Sequence, residues 1–176
     1  MTILTTQRLR LEPMEDAHFE GLFEMNRLPE VMRYITGKPD SAEDLLAMIE
    51  RVKARWAAWG FSWWSMFDLG SGKLVGACGV MYLGNDPANP HELGWRLHPD
   101  YWGQGLASEA GARIARFAFE ELQAPLVTAV RHPDNTASQR VMERLGMRYR
   151  GDEQWYERTL AVYEMTRAEW LAAQPV

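Results

Sequence analysis

Arg8-Leu9-Arg10-Leu11-Glu12 alternates polar and apolar residues, which predicts an opening strand with its leucines on one face. From Asp16 to Asn26 the apolar Phe19, Leu22 and Phe23 recur at helical spacing, and so do Leu45, Met48, Ile49, Val52 and Trp56 further on. Ser41 with Asp44 makes an acidic variant of the capping box ahead of that second helix. Residues 61–68 and 73–83 read as two strands joined by the hairpin-like Leu69-Gly70-Ser71-Gly72, and residues 85–90 as a loop. The next strand, residues 91–97, places Leu93, Trp95 and Leu97 on one face and Glu92, Gly94 and Arg96 on the other.

After a Gly-rich turn, a helix is predicted over residues 106–122, with Leu106, Ala110, Ile114, Phe117, Ala118 and Leu122 as its apolar stripe. Pro125 ends it, and residues 126–130 form a short buried-type strand. Residues 135–145 give another helix stopped by Gly146, followed by strands over 147–151 and 159–166 and a tail helix to Ala173. Strands alternating with helices, interspersed with hairpins, predict a mixed α/β sheet rather than a doubly wound one.

Composition narrows the functional classes. At 176 residues the chain fits one domain, and 19 basic against 24 acidic residues leave a net charge of −5. No basic excess is available to neutralise a phosphate backbone, which argues against nucleic-acid binding. The single Cys78 permits no internal disulfide and, among apolar neighbours, reads as an inert core thiol. Residues 1–12 carry no apolar signal-peptide core, and the longest apolar run, 74–83, is about half a membrane span. The expectation is a cytoplasmic protein with no membrane partner.

Candidate chemistry concentrates in two segments. Asp100-Tyr101-Trp102-Gly103-Gln104-Gly105-Leu106-Ala107-Ser108-Glu109-Ala110 joins a strand to the N-terminus of the long helix. Two glycines allow close backbone approach, and the free N–H groups of the first turn suit a phosphate or pyrophosphate. A tight turn needing glycine for conformation alone is the plainer alternative. Neither Gly37-Lys38-Pro39 nor Gly72-Lys73-Leu74 completes a P-loop, and Ser108 occupies the sixth place of a dinucleotide fingerprint counted from Gly103. In the second segment, residues 131–147, Asp134 or Asn135 caps a helix whose inward face carries Ser138, Val141, Met142 and Leu145. Ser138 is either a functional hydroxyl or one bonded back to its own helix.

Taken in order, Glu92-Leu93-Gly94-Trp95-Arg96-Leu97, the stretch from Tyr101 to Ala110, and Asn135-Thr136-Ala137-Ser138 through Leu145-Gly146-Met147 resemble the GNAT acyltransferase superfamily. More narrowly they are similar to its ribosomal-protein N-terminal acetyltransferase branch, as is the opening Thr6-Gln7-Arg8-Leu9-Arg10-Leu11. The resemblance implies one N-acetyltransferase domain over residues 1–176. Its α/β fold would hold a mixed, mostly antiparallel sheet of about seven strands flanked by helices, with two parallel strands splayed for acetyl-CoA. It further implies that Gly103, Gln104, Gly105, Leu106, Ala107 and Ser108 hold the donor's pyrophosphate. The pantetheine arm would pair with backbone near Leu97 and with Asn135, and Ser138 would lie near the thioester sulfur. Two positions depart from the superfamily pattern. Trp102 stands where Gln or Arg is common, and Met142 stands where many members carry a tyrosine general acid. Ser138, one turn back, is the expected replacement.

The expected reaction is direct attack of a primary amine on the thioester, with Glu92 as general base. An ion pair with Arg96 on the same strand face is the structural alternative for Glu92. His98 is a reserve base, whereas His91 and His132 have no partners at metal-ligand spacing, so no metal is expected. Glu109 is accounted for by the helix dipole, and Trp56, Trp59, Phe61, Trp63 and Trp64 by the core. The acceptor expected from the branch is a protein N-terminal α-amine. A small-molecule amine or aminoglycoside, a longer acyl donor, and a CoA-binding protein without turnover stand as alternatives, and a homodimer is compatible with the resemblance.

Overall fold

The computed structural model describes residues 1–174. In chain order the elements are β1 (Leu4–Thr5), β2 (Leu9–Pro13), a 3₁₀ turn at Asp16–His18, α1 (Phe19–Asn26), α2 (Pro29–Met32), α3 (Ala42–Trp59), β3 (Trp63–Asp68) and β4 (Leu74–Tyr82). They continue with β5 (His91–Leu97), α4 (Leu106–Glu120), β6 (Leu126–Arg131), α5 (Thr136–Arg144), β7 (Arg148–Trp155), β8 (Arg158–Thr166) and α6 (Arg167–Ala172). The strands follow the order β1-β2-β3-β4-β5-β6-β8-β7 in an eight-stranded sheet. The strand beyond the expected seven is β1, too short to show a periodicity. β1 through β4 pair antiparallel in turn, as do β6 with β8 and β8 with β7. β5 and β6 are parallel, paired at His91↔Val127 and Glu92↔Thr128, while β6 runs on to Arg131 against β8.

The chain forms two compact units, the first from Met1–Gly79 with Trp95–Ala110, the second from Val80–Gly94 with the residues from Gly111 on. In the first unit, α3 packs Leu45, Ile49, Val52 and Trp56 inward, in agreement with the spacing that predicts the helix. Its start is the expected reciprocal cap: Ser41 Oγ accepts from Asp44 N–H at 3.1 Å and Asp44 Oδ2 from Ser41 N–H at 3.0 Å. Gly60, at φ +80°, ends it. Trp56 meets Trp64 edge-on at 4.9 Å, and the two indole N–H groups bond to Trp63 O and Thr2 O. Cys78 is buried and free, and burial pushes its thiol pKa up, so it is an inert core residue.

In the second unit, Phe119 of α4 stacks on Trp170 of α6 with centroids 5.1 Å apart, and Val127, Ala129, Val162 and Met165 are buried. β7 extends to Trp155, past the predicted end at Gly151. Its exposed positions carry Arg148, Tyr149, Arg150, Asp152 and Gln154, so it offers no hydrophobic period and protects a sheet edge largely with charged and polar residues. No helix among the described residues is long and apolar enough to cross a membrane.

One glycine controls how closely β4 approaches the end of β5. A Cβ on Gly76 would lie 2.5 Å from Arg96 O and 2.7 Å from Leu97 Cδ2. The Leu97 methyl could turn aside, but the contact with Arg96 O is to backbone and is relieved only by moving a strand. Gly76→Ala is therefore expected to lower unfolding stability by about 1–3 kcal/mol. Urea denaturation measures this, and an unchanged midpoint with unchanged slope would contradict the close approach.

Candidate active site

The predicted phosphate loop is built on hydrogen bonds that sequence spacing does not reveal. After Leu97 the chain makes a 3₁₀ turn at Pro99–Tyr101, with His98 Nδ1 accepting from Asp100 N–H at 3.2 Å. Trp102 Nε1–H donates to Leu97 O at 2.9 Å. The indole thus ties the loop to the strand end, and Leu97 O holds one hydrogen bond already. Gly103 and Gly105 have φ of +72° and +78°, the left-handed region where side chains are disfavoured. Residues 102–105 are exposed, and a Cβ on Gly103 would meet nothing within 4 Å. Conformation explains both glycines, and open space in front of the loop leaves room for a ligand.

The loop is braced from the N-terminal strands. Glu109 accepts from Thr6 Oγ1 at 2.6 Å, from Arg8 N–H at 2.8 Å and from Arg8 Nε at 2.7 Å. Arg8 Nη1 donates to Gln104 O at 2.9 Å, and Gln104 Nε2 donates to Asp100 O at 3.1 Å. Partial burial raises the Glu109 pKa, but the bonds from Thr6 and Arg8 outweigh it and hold the carboxyl below its ordinary value. Glu109 is therefore a structural brace in addition to a favourable charge at a helix start. Ser108 Oγ, in the first turn of α4, is buried and has no partner among the described residues. An orphaned hydroxyl beside unpaired first-turn N–H groups is the polarity an anion would satisfy.

Glu92 and Arg96 each take partners of their own. Arg96 lies over the Trp63 ring at 5.1 Å, with Nη2 on Met48 Sδ at 3.3 Å. Burial lowers its pKa to about 10, with the Asp40 charge pulling the other way. Glu92 is 6 % exposed, so both faces of β5 are covered rather than the leucine face alone. Burial raises the Glu92 pKa to about 7, opposed by a hydrogen bond from Tyr156 Oη to Glu92 Oε2. Tyr156 Oη in turn accepts from Gly84 N–H at 3.0 Å. Tyr156 is the site residue that sequence reasoning missed. It sits in a two-residue hairpin turn with Glu157, φ +53° and +61°, without the Gly or Asn that marks such turns.

On α5 the cap is Asn135 rather than Asp134. Its Oδ1 accepts from Ser138 N–H and its Nδ2 donates to Ser138 Oγ, each at 3.1 Å. Ser138 is therefore not bonded back to its helix. Its oxygen accepts from Asn135, and its proton has no acceptor among the described residues. Asn135 keeps its second amide hydrogen and one lone pair of Oδ1 for another group. Met142 is buried and has no proton to give. Trp56, Phe61 and Trp64 are core residues, as expected. Among the described residues, no three His, Cys, Asp or Glu side chains cluster as metal ligands.

The buried carboxylate makes stability depend on pH in a defined direction. The folded pKa of Glu92 lies above its ordinary value of 4.5, so the folded state binds the proton more tightly than the unfolded state. Stability is thereby lost as pH rises from about 4.5 through about 7. Relative to wild type, Glu92→Gln is expected to gain about 2–3 kcal/mol between pH 5 and pH 8. Urea melts of both proteins across this range test it, and a gap independent of pH would show that Glu92 titrates as an exposed carboxylate.

The chain matches the family model for the acetyltransferase (GNAT) domain over residues 8–148. It is 31 % identical over 172 residues to the uncharacterized protein YkkB of Bacillus subtilis, covering 93 % of this chain and 95 % of that one. With FsC-acetyl coenzyme A-N(2)-transacetylase of Aspergillus fumigatus it shares 30 % identity over 188 residues, covering 97 % and 79 %. The structure of RimL, a ribosomal L7/L12 alpha-N-protein acetyltransferase, in complex with coenzyme A, superposes with a TM-score of 0.79 at 15 % identity, covering 94 % and 98 %. The expected fold agrees with these neighbours. This chain belongs to the GNAT acetyltransferase family and is an acyl-CoA-dependent N-acetyltransferase, which moves an acetyl group from acetyl-CoA to an amine.

Proposed function

We propose that residues 1–176 act as one catalytic domain in which an amine attacks the thioester directly, with Glu92 as general base and Ser138 as the proton source for the departing sulfur. The buried, tyrosine-bonded Glu92 carboxylate is the observation that carries this reading. A base must be partly ionised at working pH and still hold a proton well, and a pKa of about 7 meets both needs. It also bears on the acceptor. An α-amino group, near pKa 8, lies about one unit from Glu92, whereas a lysine near 10.4 lies more than three units away. That match supports an N-terminal α-amine, in line with the branch that the motifs resemble.

Each remaining residue has a role consistent with its surroundings. Gly103, Gln104, Gly105, Leu106, Ala107 and Ser108 would take the donor's pyrophosphate through first-turn N–H groups and the orphaned Ser108 hydroxyl. Leu97 would offer backbone, and Asn135 its remaining amide hydrogen, to the pantetheine arm. Ser138, already accepting from Asn135, would donate its proton to the sulfur. This replaces the tyrosine that Met142 cannot supply. A second reading, a small-molecule amine, draws support from the transacetylase relative, whose name specifies an N(2) acceptor.

Release of CoA thiol from acetyl-CoA tests the proposal, using peptides with free α-amines, lysine-only peptides with blocked N-termini, and small amines. Wild type is expected to prefer free α-amines, and Glu92→Gln and Ser138→Ala each to lose at least about tenfold in kcat. Release that ignores Glu92→Gln would move the base elsewhere, and a preference for blocked lysine peptides would overturn the acceptor.

A further inference from the structure

We propose that Tyr156 is a positioning residue: its phenol holds one oxygen of the Glu92 carboxylate and leaves the other to take the acceptor's proton. The inference rests on Glu92 being the base. The phenol donates to Glu92 Oε2, while its own oxygen accepts from Gly84 N–H at 3.0 Å. With that lone pair engaged, the hydroxyl proton is directed at the carboxylate. Rotating it away would leave a buried acceptor unsatisfied.

The two-residue turn that presents the ring holds both of its residues in unfavourable backbone conformations. Tyr156 and Glu157 both carry side chains in the left-handed region, at φ +53° and +61°. Strain of this kind persists where its surroundings hold it, and here it presents the ring to Glu92 from a residue 64 positions away. Gly84 is fixed in its turn by two independent requirements. Its φ is +67°, where a side chain is strained, and a Cβ would lie 3.0 Å from Trp155 Cζ3, so that any larger residue would press the Trp155 ring back by a few tenths of an ångström. The hairpin, the Gly84 turn and Glu92 thus interlock through a single phenol.

The neighbouring titratable groups are otherwise occupied. His91, next on β5, lies 5.0 Å from the Tyr82 ring, and burial favours its neutral form. Glu153 on β7 pairs with Arg150 at 2.8 Å and accepts from Trp155 Nε1 at 2.8 Å. Burial and the phenol are the influences acting on Glu92 itself. The phenol favours the charged form, so its loss leaves burial unopposed.

The experiment is the pH profile of kcat/KM with acetyl-CoA and the best acceptor, for wild type, Tyr156→Phe and Glu92→Gln. Tyr156→Phe is expected to move the acid limb to higher pH by about one unit. It would lose about tenfold at pH 6 and recover to within about twofold at pH 9. Replacing Tyr156 with a fluorinated tyrosine, which keeps the ring and strengthens the donor, should move the limb the other way. A Tyr156→Phe profile that keeps its limb, or falls equally at every pH, would overturn the positioning role while a dead Glu92→Gln leaves the base in place. Full activity and an unchanged limb in Glu92→Gln would instead remove the base itself, and this inference with it.

Discussion

A carboxylate buried at position 92 is the constraint around which the candidate chemistry is arranged. Left alone in a low-dielectric site, such a group keeps its proton and is useless as a base near neutrality. One hydrogen bond from a neutral phenol offsets part of the burial and leaves a pKa of about 7. A cationic partner would have pulled it much lower and given a structural ion pair. Arg96 takes other partners, the Trp63 ring and Met48 Sδ, and its buried Nε has no hydrogen-bond partner among the described residues. The tyrosine, rather than an arginine, is what keeps the carboxylate tunable.

The candidate donor loop rests on a different device with a similar logic. Its glycines adopt left-handed conformations and residues 102–105 are exposed, so little local packing holds that part of it. Glu109 supplies the missing rigidity by gathering Thr6 and Arg8 onto the first turn of α4. Trp102 adds a tether to Leu97, which gives this aromatic a structural reason of its own. A preorganised loop spends less of its binding energy on ordering.

Local features were legible in the sequence and remote ones were not. The α3 cap, the Gly146 terminator and the strand faces of β5 follow from residues within one or two turns of one another. Residues 103–108 could be read as an anion loop for the same reason. β1 and α2 span two and four residues, too few for a periodicity to register. The far half of β7 is an edge strand of charged and polar residues, where neither face needs to be apolar. Glu92 could be singled out from its strand, but its partner stands 64 residues on, in a turn lacking the usual turn residues. The Arg8–Glu109 brace spans 101 residues. Pairings of that range are products of topology, and no window of sequence contains them.

Burial raises the Glu92 carboxyl toward neutrality, and the Tyr156 phenol keeps it from rising further. The most direct test is a titration of the carboxyl carbons of ¹³C-glutamate-labelled protein by NMR, with Glu92→Gln assigning the resonance. A midpoint near pH 7 is expected for that one signal. A midpoint in the ordinary range around 4.5 would place Glu92 in a hydrated or ion-paired setting and contradict it.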